Sequence, residues 1–211
     1  MGAAQAAPNI LEAVMKDLRG FSFTETMVAV ALIGLAAAVA MPNLAETRRR
    51  VDLQRLAKQV YADAMNCRME ALTSCRNVGL VFAESNGRWF YTQVADGDND
   101  GVSREDFVRG IDKPLGPRIW LEFLSAGTHV GVPPAWHVPD PSGDGLLPGE
   151  GLRIGSSRII SFSHIGHATA STVYFNDGKD RMLAIRTNGD TGRIRALLWQ
   201  RGWQQWQEVP L

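Results

Sequence analysis

Hydrophobic and polar residues follow three patterns in succession along this chain. Residues 21–41 form an apolar run with one charged side chain, Glu25. Between residues 53 and 71, apolar side chains recur at steps of three and four, and after residue 77 apolar and polar positions alternate in short runs. Steps of three and four are typical of a helix with one buried face, and alternation is typical of strands. The pattern predicts an apolar helix, an amphipathic helix and a strand-rich region, in that order.

The apolar run is long enough, as a helix, to cross a membrane. Its 21 residues would span about 31 Å at about 1.5 Å per residue. The run follows Gly20, whereas an ordinary secretory signal places its apolar region before a small-residue cleavage site. We therefore predict a transmembrane segment over residues 21–41.

The second pattern continues the same helix to about Ser74. Its apolar positions form one stripe, made of Leu53, Leu56, Val60, Ala64, Cys67 and Ala71. Charged side chains lie off this stripe, which is typical of a helix packed on a globular domain. We predict one N-terminal helix over residues 21–76, with its first half in the membrane and its second half packed on a domain formed by residues 77–211.

The third pattern predicts strands. Segments rich in β-branched and aromatic residues occur at 78–82, 88–94, 118–124, 158–163, 171–175, 181–187 and 193–199. Asn86-Gly87, Asp177-Gly178 and Asn188-Gly189 separate some of these segments, as in antiparallel hairpins. Prolines and glycines crowd residues 127–151 and predict a long irregular loop. The predicted fold class is α+β, with a long N-terminal α-helix, transmembrane in its first half, packed on a C-terminal antiparallel β-sandwich-like domain.

Composition narrows the possible functions. Lys and Arg together number 22, as do Asp and Glu, so no overall charge attracts the chain to nucleic acid or to an anionic surface. Cys67 and Cys75 are separated by about 12 Å along a helix, beyond disulfide reach unless the chain turns sharply, so we predict two buried or free thiols. No nucleophile elbow, phosphate-binding glycine loop or catalytic carboxylate pair is recognisable. We predict that the protein is not an enzyme.

Glu25 is the residue of the apolar run that most needs an explanation. A carboxylate in an apolar helical environment costs several kcal/mol unless it is paired or neutralised. Cleavage between Gly20 and Phe21 would create an α-amino group about one turn from Glu25, and the same amine on a neighbouring subunit could also reach it. The charge is then explained as an assembly device.

Gly20, Phe21 and Glu25, followed by an apolar helix, resemble the prepilin peptidase site of type IV pilins and type II secretion pseudopilins. The resemblance implies that residues 1–20 are a leader, that a prepilin peptidase cuts after Gly20 and methylates Phe21, and that Glu25 sets register with the next subunit. It also implies the pilin fold, other pilins or pseudopilins as partners, and a single-pass protein of the bacterial inner membrane. Its C-terminal domain would be periplasmic, and assembly would place it in a pilus or pseudopilus.

The C-terminal half is similar to a narrower group. Residues 153–166, 172–178 and 191–195 resemble the C-terminal domain of the H-type pseudopilin and minor pilin family (GspH/FimT). This resemblance implies a minor pilin or pseudopilin with a structural role at a filament tip or in an initiation complex. Type IV pili and type II secretion pseudopili remain alternatives, because their subunits share the same N-terminal segment.

DNA binding during uptake for natural transformation is an alternative function. Arg193 and Arg195 lie on one face of a predicted strand after a turn, and some minor pilins linked to natural competence contact DNA through a similar GRxR segment. Trp199, Trp203 and Trp206 are interleaved with these basic residues and could stack on bases. In the other interpretation the arginines pair with Asp190 or Glu208, and the tryptophans are core or interface anchors.

One segment resembles part of a calcium site. Asp96, Asp98 and Asp100 precede Gly101 in DGDNDG, which is similar to the first half of an EF-hand loop. The twelfth position, where an EF-hand has a bidentate glutamate, is Phe107. Calcium at these aspartates and a solvated acidic turn both remain open, and no other cofactor is predicted.

Overall fold

The computed structural model describes residues 21–211 apart from 126, 144 and 150. The predicted leader, residues 1–20 with Gly20, lies outside the described residues. The chain divides into two compact units, Met1–Glu46 and Thr47–Leu211. The second unit is α+β, with two antiparallel sheets.

Helix α1 spans Phe23–Ser74, and both of its ends have a local explanation. The hydroxyl of Ser22 accepts a hydrogen bond from the backbone N–H of Glu25 at 3.4 Å. Ser22 and Glu25 have the S-x-x-E spacing of a capping box, and an acidic residue in the first turn complements the positive end of the helix. The helix ends before Cys75, which has a φ of 53°, the left-handed conformation that terminates many helices.

The predicted transmembrane segment over residues 21–41 is wrong. Among the residues that the structure describes, no helix has an apolar stretch that would reach across a membrane. This finding corrects the prediction that the first half of the N-terminal helix is transmembrane. It also corrects the predicted single-pass inner-membrane localisation with a periplasmic domain.

The two sheets are antiparallel throughout their described pairs. After α1 the elements are β1 Val78–Ser85, β2 Arg88–Ala95, α2 Arg104–Arg109, β3 Lys113–Pro114, β4 Ile119–Trp120, α3 Leu121–Leu124, β5 His129–Val130, β6 Leu152–Arg153, β7 Ile159–Phe162, β8 Ser171–Asn176, β9 Arg181–Thr187, β10 Ile194–Gln200 and β11 Gln207–Val209. The first sheet has the order β3-β2-β1-β7, with β4 also on β2. The second has the order β11-β10-β9-β8-β5, with β6 also on β8.

Most of the predicted strands are confirmed, and one is wrong. Six of the seven predicted segments coincide with β1, β2, β7, β8, β9 and β10. Residues 118–124 instead form a two-residue strand followed by α3, because Leu121 and Leu124 turn to the same core at a helical spacing. Asn86 and Gly87 have φ values of 52° and 74°, as a tight hairpin turn between β1 and β2 requires.

The main core joins α1 to both sheets. All residues of the predicted stripe on α1 are buried, and they pack with Leu80 and Phe82 of the first sheet and with Val173 and Ile185 of the second. The hydroxyl of Tyr91 in β2 also donates a buried hydrogen bond of 2.5 Å to Asp63 of α1. The stripe prediction is therefore confirmed within the second unit.

The loop over residues 127–151 covers the other face of the second sheet. Its apolar residues form a second cluster with alternate residues of β8, β9 and β10, namely Val132, Val138 and Leu147 with Tyr174, Met182, Ala184 and Trp199. Successive side chains of a strand point to opposite faces, and the intervening residues Val173 and Ile185 belong to the main core. The second sheet is thus covered by α1 on one face and by this loop on the other.

Candidate functional site

The N-terminal part of α1 and the residues just before it expose apolar side chains on every side. Ten of them are between 59% and 84% exposed, namely Phe21, Phe23, Met27, Val28, Val30, Leu32, Ile33, Leu35, Met41 and Leu44. We call residues 21–44 the apolar segment. Exposed apolar surface of this extent marks an interaction site in folded proteins.

Glu25 is the one acidic residue in the first turn of α1. Its backbone is held by the cap at Ser22, and its side chain forms no ion pair within the described part of the chain. Phe21, the predicted methylated residue, is 84% exposed. The sequence-predicted assembly residues therefore lie at the beginning of the apolar segment.

Arg193 and Arg195 share one carboxylate. Glu208 of β11 is 3.3 Å from Arg193 Nη2 and 3.6 Å from Arg195 Nη1. All three side chains are substantially exposed, so the pairs add little to stability. The interpretation of these arginines as members of surface ion pairs with Glu208 is confirmed.

A third arginine lies beside the pair. Arg68 of α1 donates to the carbonyl of Thr191 at 3.3 Å, and it lines a groove of about 500 Å³ with Arg193, Arg195 and Glu208. Gly192 has a φ of 59°, and an added Cβ would lie 2.7 Å from the carbonyl oxygen of Gly166 and 3.4 Å from Nε of Arg68, so the turn packs closely against both. Sequence reasoning missed Arg68, because the stripe of α1 indicated only that this residue lies off the buried face.

The tryptophans belong to the second cluster and not to the arginine groove. Trp199 is buried, and its indole N–H donates to the carbonyl of Trp203 at 2.9 Å. The indole N–H of Trp206 donates to the carbonyl of Pro139 at 2.7 Å, and its ring centroid is 6.4 Å from that of Trp199. Their interpretation as core anchors is confirmed, and Trp199 is not available to stack on a base.

The acidic loop is organised by two buried aspartates. Asp96 accepts hydrogen bonds from the side chain of Asn77 and from the backbone N–H groups of Asp98, Asn99 and Gly101, at 2.7 to 3.2 Å. Asp112 accepts from the backbone N–H groups of Gly97 and Ser103 at 3.0 and 2.9 Å. These bonds fix the loop through its own backbone.

The carboxylate cluster differs from the predicted calcium set. Asp96, Asp98 and Asp112 have ligand atoms within 4.8 Å of one another, so Asp112 replaces Asp100 of the predicted set. A carboxylate has about four lone-pair sites, and each oxygen of Asp96 already accepts two hydrogen bonds. This arrangement favours an internally bonded turn over a cation site at Asp96.

The pKa values of the loop follow from these contacts. Burial by itself raises the pKa of Asp96, but the hydrogen bonds from Asn77 and from the backbone N–H groups outweigh burial, and the pKa lies below its ordinary value. The pKa of Asp100 is raised, chiefly by a hydrogen bond with Asp98. The hydrogen bonds to Asp96 therefore stabilise its charged form.

The cysteines are free thiols, as predicted. Cys67 is buried and Cys75 is exposed. Burial, with smaller contributions from the charges of Asp63 and Glu70, raises the pKa of Cys67 to about 12. Cys67 is therefore an unreactive core residue, because the thiolate is the reactive form.

Comparison with known proteins finds no protein-family model, no curated protein and no solved structure that matches this chain. The resemblance to pilins consequently stays a prediction based on the residues themselves.

Proposed function

We propose that this protein is a structural subunit, a minor pilin or pseudopilin, that assembles into a type IV pilus or type II secretion pseudopilus through its apolar segment. The observation that carries the proposal is the exposure of ten apolar side chains around one helix that begins beside Phe21. A helix that is apolar on all sides is buried in its functional state. The apolar segment therefore requires partner surfaces that cover it.

We expect these surfaces to be the corresponding helices of neighbouring subunits. Ala29, Ala31 and Gly34 are interspersed among the larger apolar residues, and an added Cβ at Gly34 would meet no described atom within 4 Å. Small residues let helix backbones approach closely, while the large ones fill the space between helices. A bundle of such helices would remove the whole apolar segment from water.

Glu25 would set the axial register of the helices in this bundle by pairing with a cation. A carboxylate between apolar helices is tolerated when a cation pairs with it. Cleavage after Gly20 would supply that cation as the α-amino group of Phe21, on the same subunit or on the next one. The cap at Ser22 fixes the backbone of Glu25 in the first turn of α1.

Photo-crosslinking tests the proposed contact directly. A photoreactive amino acid at Leu32, which is 61% exposed, is expected to form covalent adducts with other filament subunits in cells that express the assembly machinery. The control position is Phe123, which is 77% exposed and lies in the second unit. Subunit adducts absent at Leu32, or equally abundant at Phe123, would contradict assembly through the apolar segment.

DNA binding is a second candidate function, and the arginine groove favours it. Three guanidinium groups, from Arg68, Arg193 and Arg195, line the groove with the carboxylate of Glu208. Phosphate groups of DNA bind such clusters. Binding would require phosphates to replace Glu208 as the partner of Arg193 and Arg195.

This exchange predicts opposite effects of two substitutions in a gel shift with duplex DNA. Glu208→Gln is expected to strengthen binding, because both arginines lose their competing anion, and Arg193→Ala with Arg195→Ala is expected to weaken it. Both effects should shrink at higher salt. Arg109→Ala is the control, because Arg109 forms an exposed pair with Glu105 away from the groove. No shift at micromolar protein and low salt would exclude this second function.

A further inference from the structure

A cavity of about 270 Å³ lies where the loop over residues 127–151 meets the second sheet. Its polar lining comes from the loop, from β6, β8 and β9, and from the turn after β9. We propose that this cavity binds a small oxyanion, a ligand with a phosphate or carboxylate group. None of the residues used for the filament and DNA functions lines the cavity, although Arg186 is paired with Arg195 of the arginine groove.

Two arginines flank one threonine on the cavity floor. Thr172 of β8 is paired with Arg153 of β6 on one side and with Arg186 of β9 on the other. Directly opposite residues of antiparallel strands point to the same face. The three side chains form a row across the sheet, and the two guanidinium groups face the same space.

The positive charge of this row is only partly balanced. Arg153 donates a hydrogen bond to the buried carboxylate of Asp140, which also accepts from the backbone N–H and the hydroxyl of Ser142. The described hydrogen bond of Arg186 goes to the carbonyl of Pro141 at 3.3 Å, and among the described residues Arg186 has no carboxylate partner. Two guanidinium groups and one carboxylate leave an excess of one positive charge.

Tyr174 supplies a buried hydroxyl beside this charge. The residue is fully buried, and its hydroxyl has no hydrogen bond of acceptable geometry within the described part of the chain. Arg153 and Thr172 are nevertheless close enough to influence its pKa, which burial raises. Tyr174 lies two residues from Thr172 and therefore on the same face of β8. A buried hydroxyl without a partner is unfavourable, and an oxyanion oxygen would satisfy it.

Calorimetric titration of the full chain, kept in a non-ionic detergent, tests the site. Sodium phosphate and sodium acetate are titrated separately at constant ionic strength, so that the two arms distinguish a phosphate from a carboxylate ligand. Saturable binding of at least one anion is expected. Arg186→Gln is expected to weaken it about tenfold or more, because a charge-assisted hydrogen bond is lost.

Two further variants separate binding from folding. Tyr174→Phe is expected to weaken anion binding without lowering the thermal midpoint of the anion-free protein, because it removes a hydroxyl that has no partner. Arg181→Gln is the control, since Arg181 lies on the opposite face of β9 from Arg186, and it should leave binding unchanged. The proposal is overturned if neither anion binds saturably, or if Arg186→Gln and Tyr174→Phe bind both anions as the parent does.

Discussion

Replacing Asp96 by alanine is expected to lower the free energy of unfolding by about 3 kcal/mol or more. Asp96 is buried and accepts three backbone N–H groups and the amide of Asn77. The substitution removes four hydrogen bonds to a charged acceptor, and each such bond contributes about 1.5–3 kcal/mol. Denaturant unfolding of the full chain measures the change. Asp98→Ala is the matched control, and as an exposed substitution it should change the free energy by about 0.5 kcal/mol or less.

The same residue gives stability a defined pH dependence. Because the folded pKa of Asp96 lies below its ordinary value, its contribution is complete above the unfolded pKa and is lost as pH falls through the folded pKa. The Asp96→Ala variant should lack this part of the acid-induced loss. Equal destabilisation by Asp96→Ala and Asp98→Ala would contradict the hydrogen-bonded turn.

Adding calcium tests whether the acidic loop is a hydrogen-bonded turn or a cation site. The hydrogen bonds to Asp96 and Asp112 hold the loop through backbone donors, so added calcium is expected to leave the thermal midpoint unchanged. A ligand that binds only the folded state raises the midpoint. A calcium-dependent rise that Asp112→Asn abolishes would show that the carboxylate cluster binds the ion.

Substituting Glu25 by alanine is expected to abolish incorporation of the subunit into filaments. In the proposed bundle, the amine of Phe21 would then be buried without its partner, which costs about 3–5 kcal/mol, or more than a hundredfold in an association constant. Pull-down of the variant with sheared filaments measures incorporation. The globular unit should remain folded, because no residue of its core clusters lies in the apolar segment.

The Glu25→Gln variant distinguishes the role of the negative charge of Glu25 from its role in the helix cap. Glutamine can take the place of glutamate in a capping box, so this variant keeps the helix start at Ser22 and Phe23 but removes the negative charge. We expect Glu25→Gln to fail in assembly as Glu25→Ala does. Normal incorporation of Glu25→Gln would mean that Glu25 serves only the helix cap.

Local patterns predicted those parts of the fold that depend on nearby residues. The stripe from Leu53 to Ala71 is buried as its spacing indicates, and Asn86-Gly87 forms the turn that its residues favour. The two-residue strands β3, β5 and β6 were not predicted, because an alternation of apolar and polar residues cannot be recognised over two positions. The transmembrane prediction rested on the apolar residues 21–41, and the described residues contain no helix that could cross a membrane.

The sites depend on residues that are distant in sequence. Arg68 meets Arg193, and Asp112 meets Asp96, only after the sheets have formed. The row of Arg153, Thr172 and Arg186 likewise depends on strand register. Charge and spacing identified Arg193, Arg195 and Glu208, because these residues lie within one hairpin-like segment. The other site residues are far apart in sequence, so no local pattern links them.

Intact-mass and N-terminal peptide analysis most directly tests the claim that this chain is a pilin-like subunit. The full chain is co-expressed with a prepilin peptidase, and a Gly20→Val variant serves as the control for cleavage. We predict that the mature protein begins at Phe21, carries a methylated α-amino group and lacks residues 1–20, while the variant keeps its leader. An unprocessed chain under conditions in which the same peptidase cleaves a known prepilin would contradict the account.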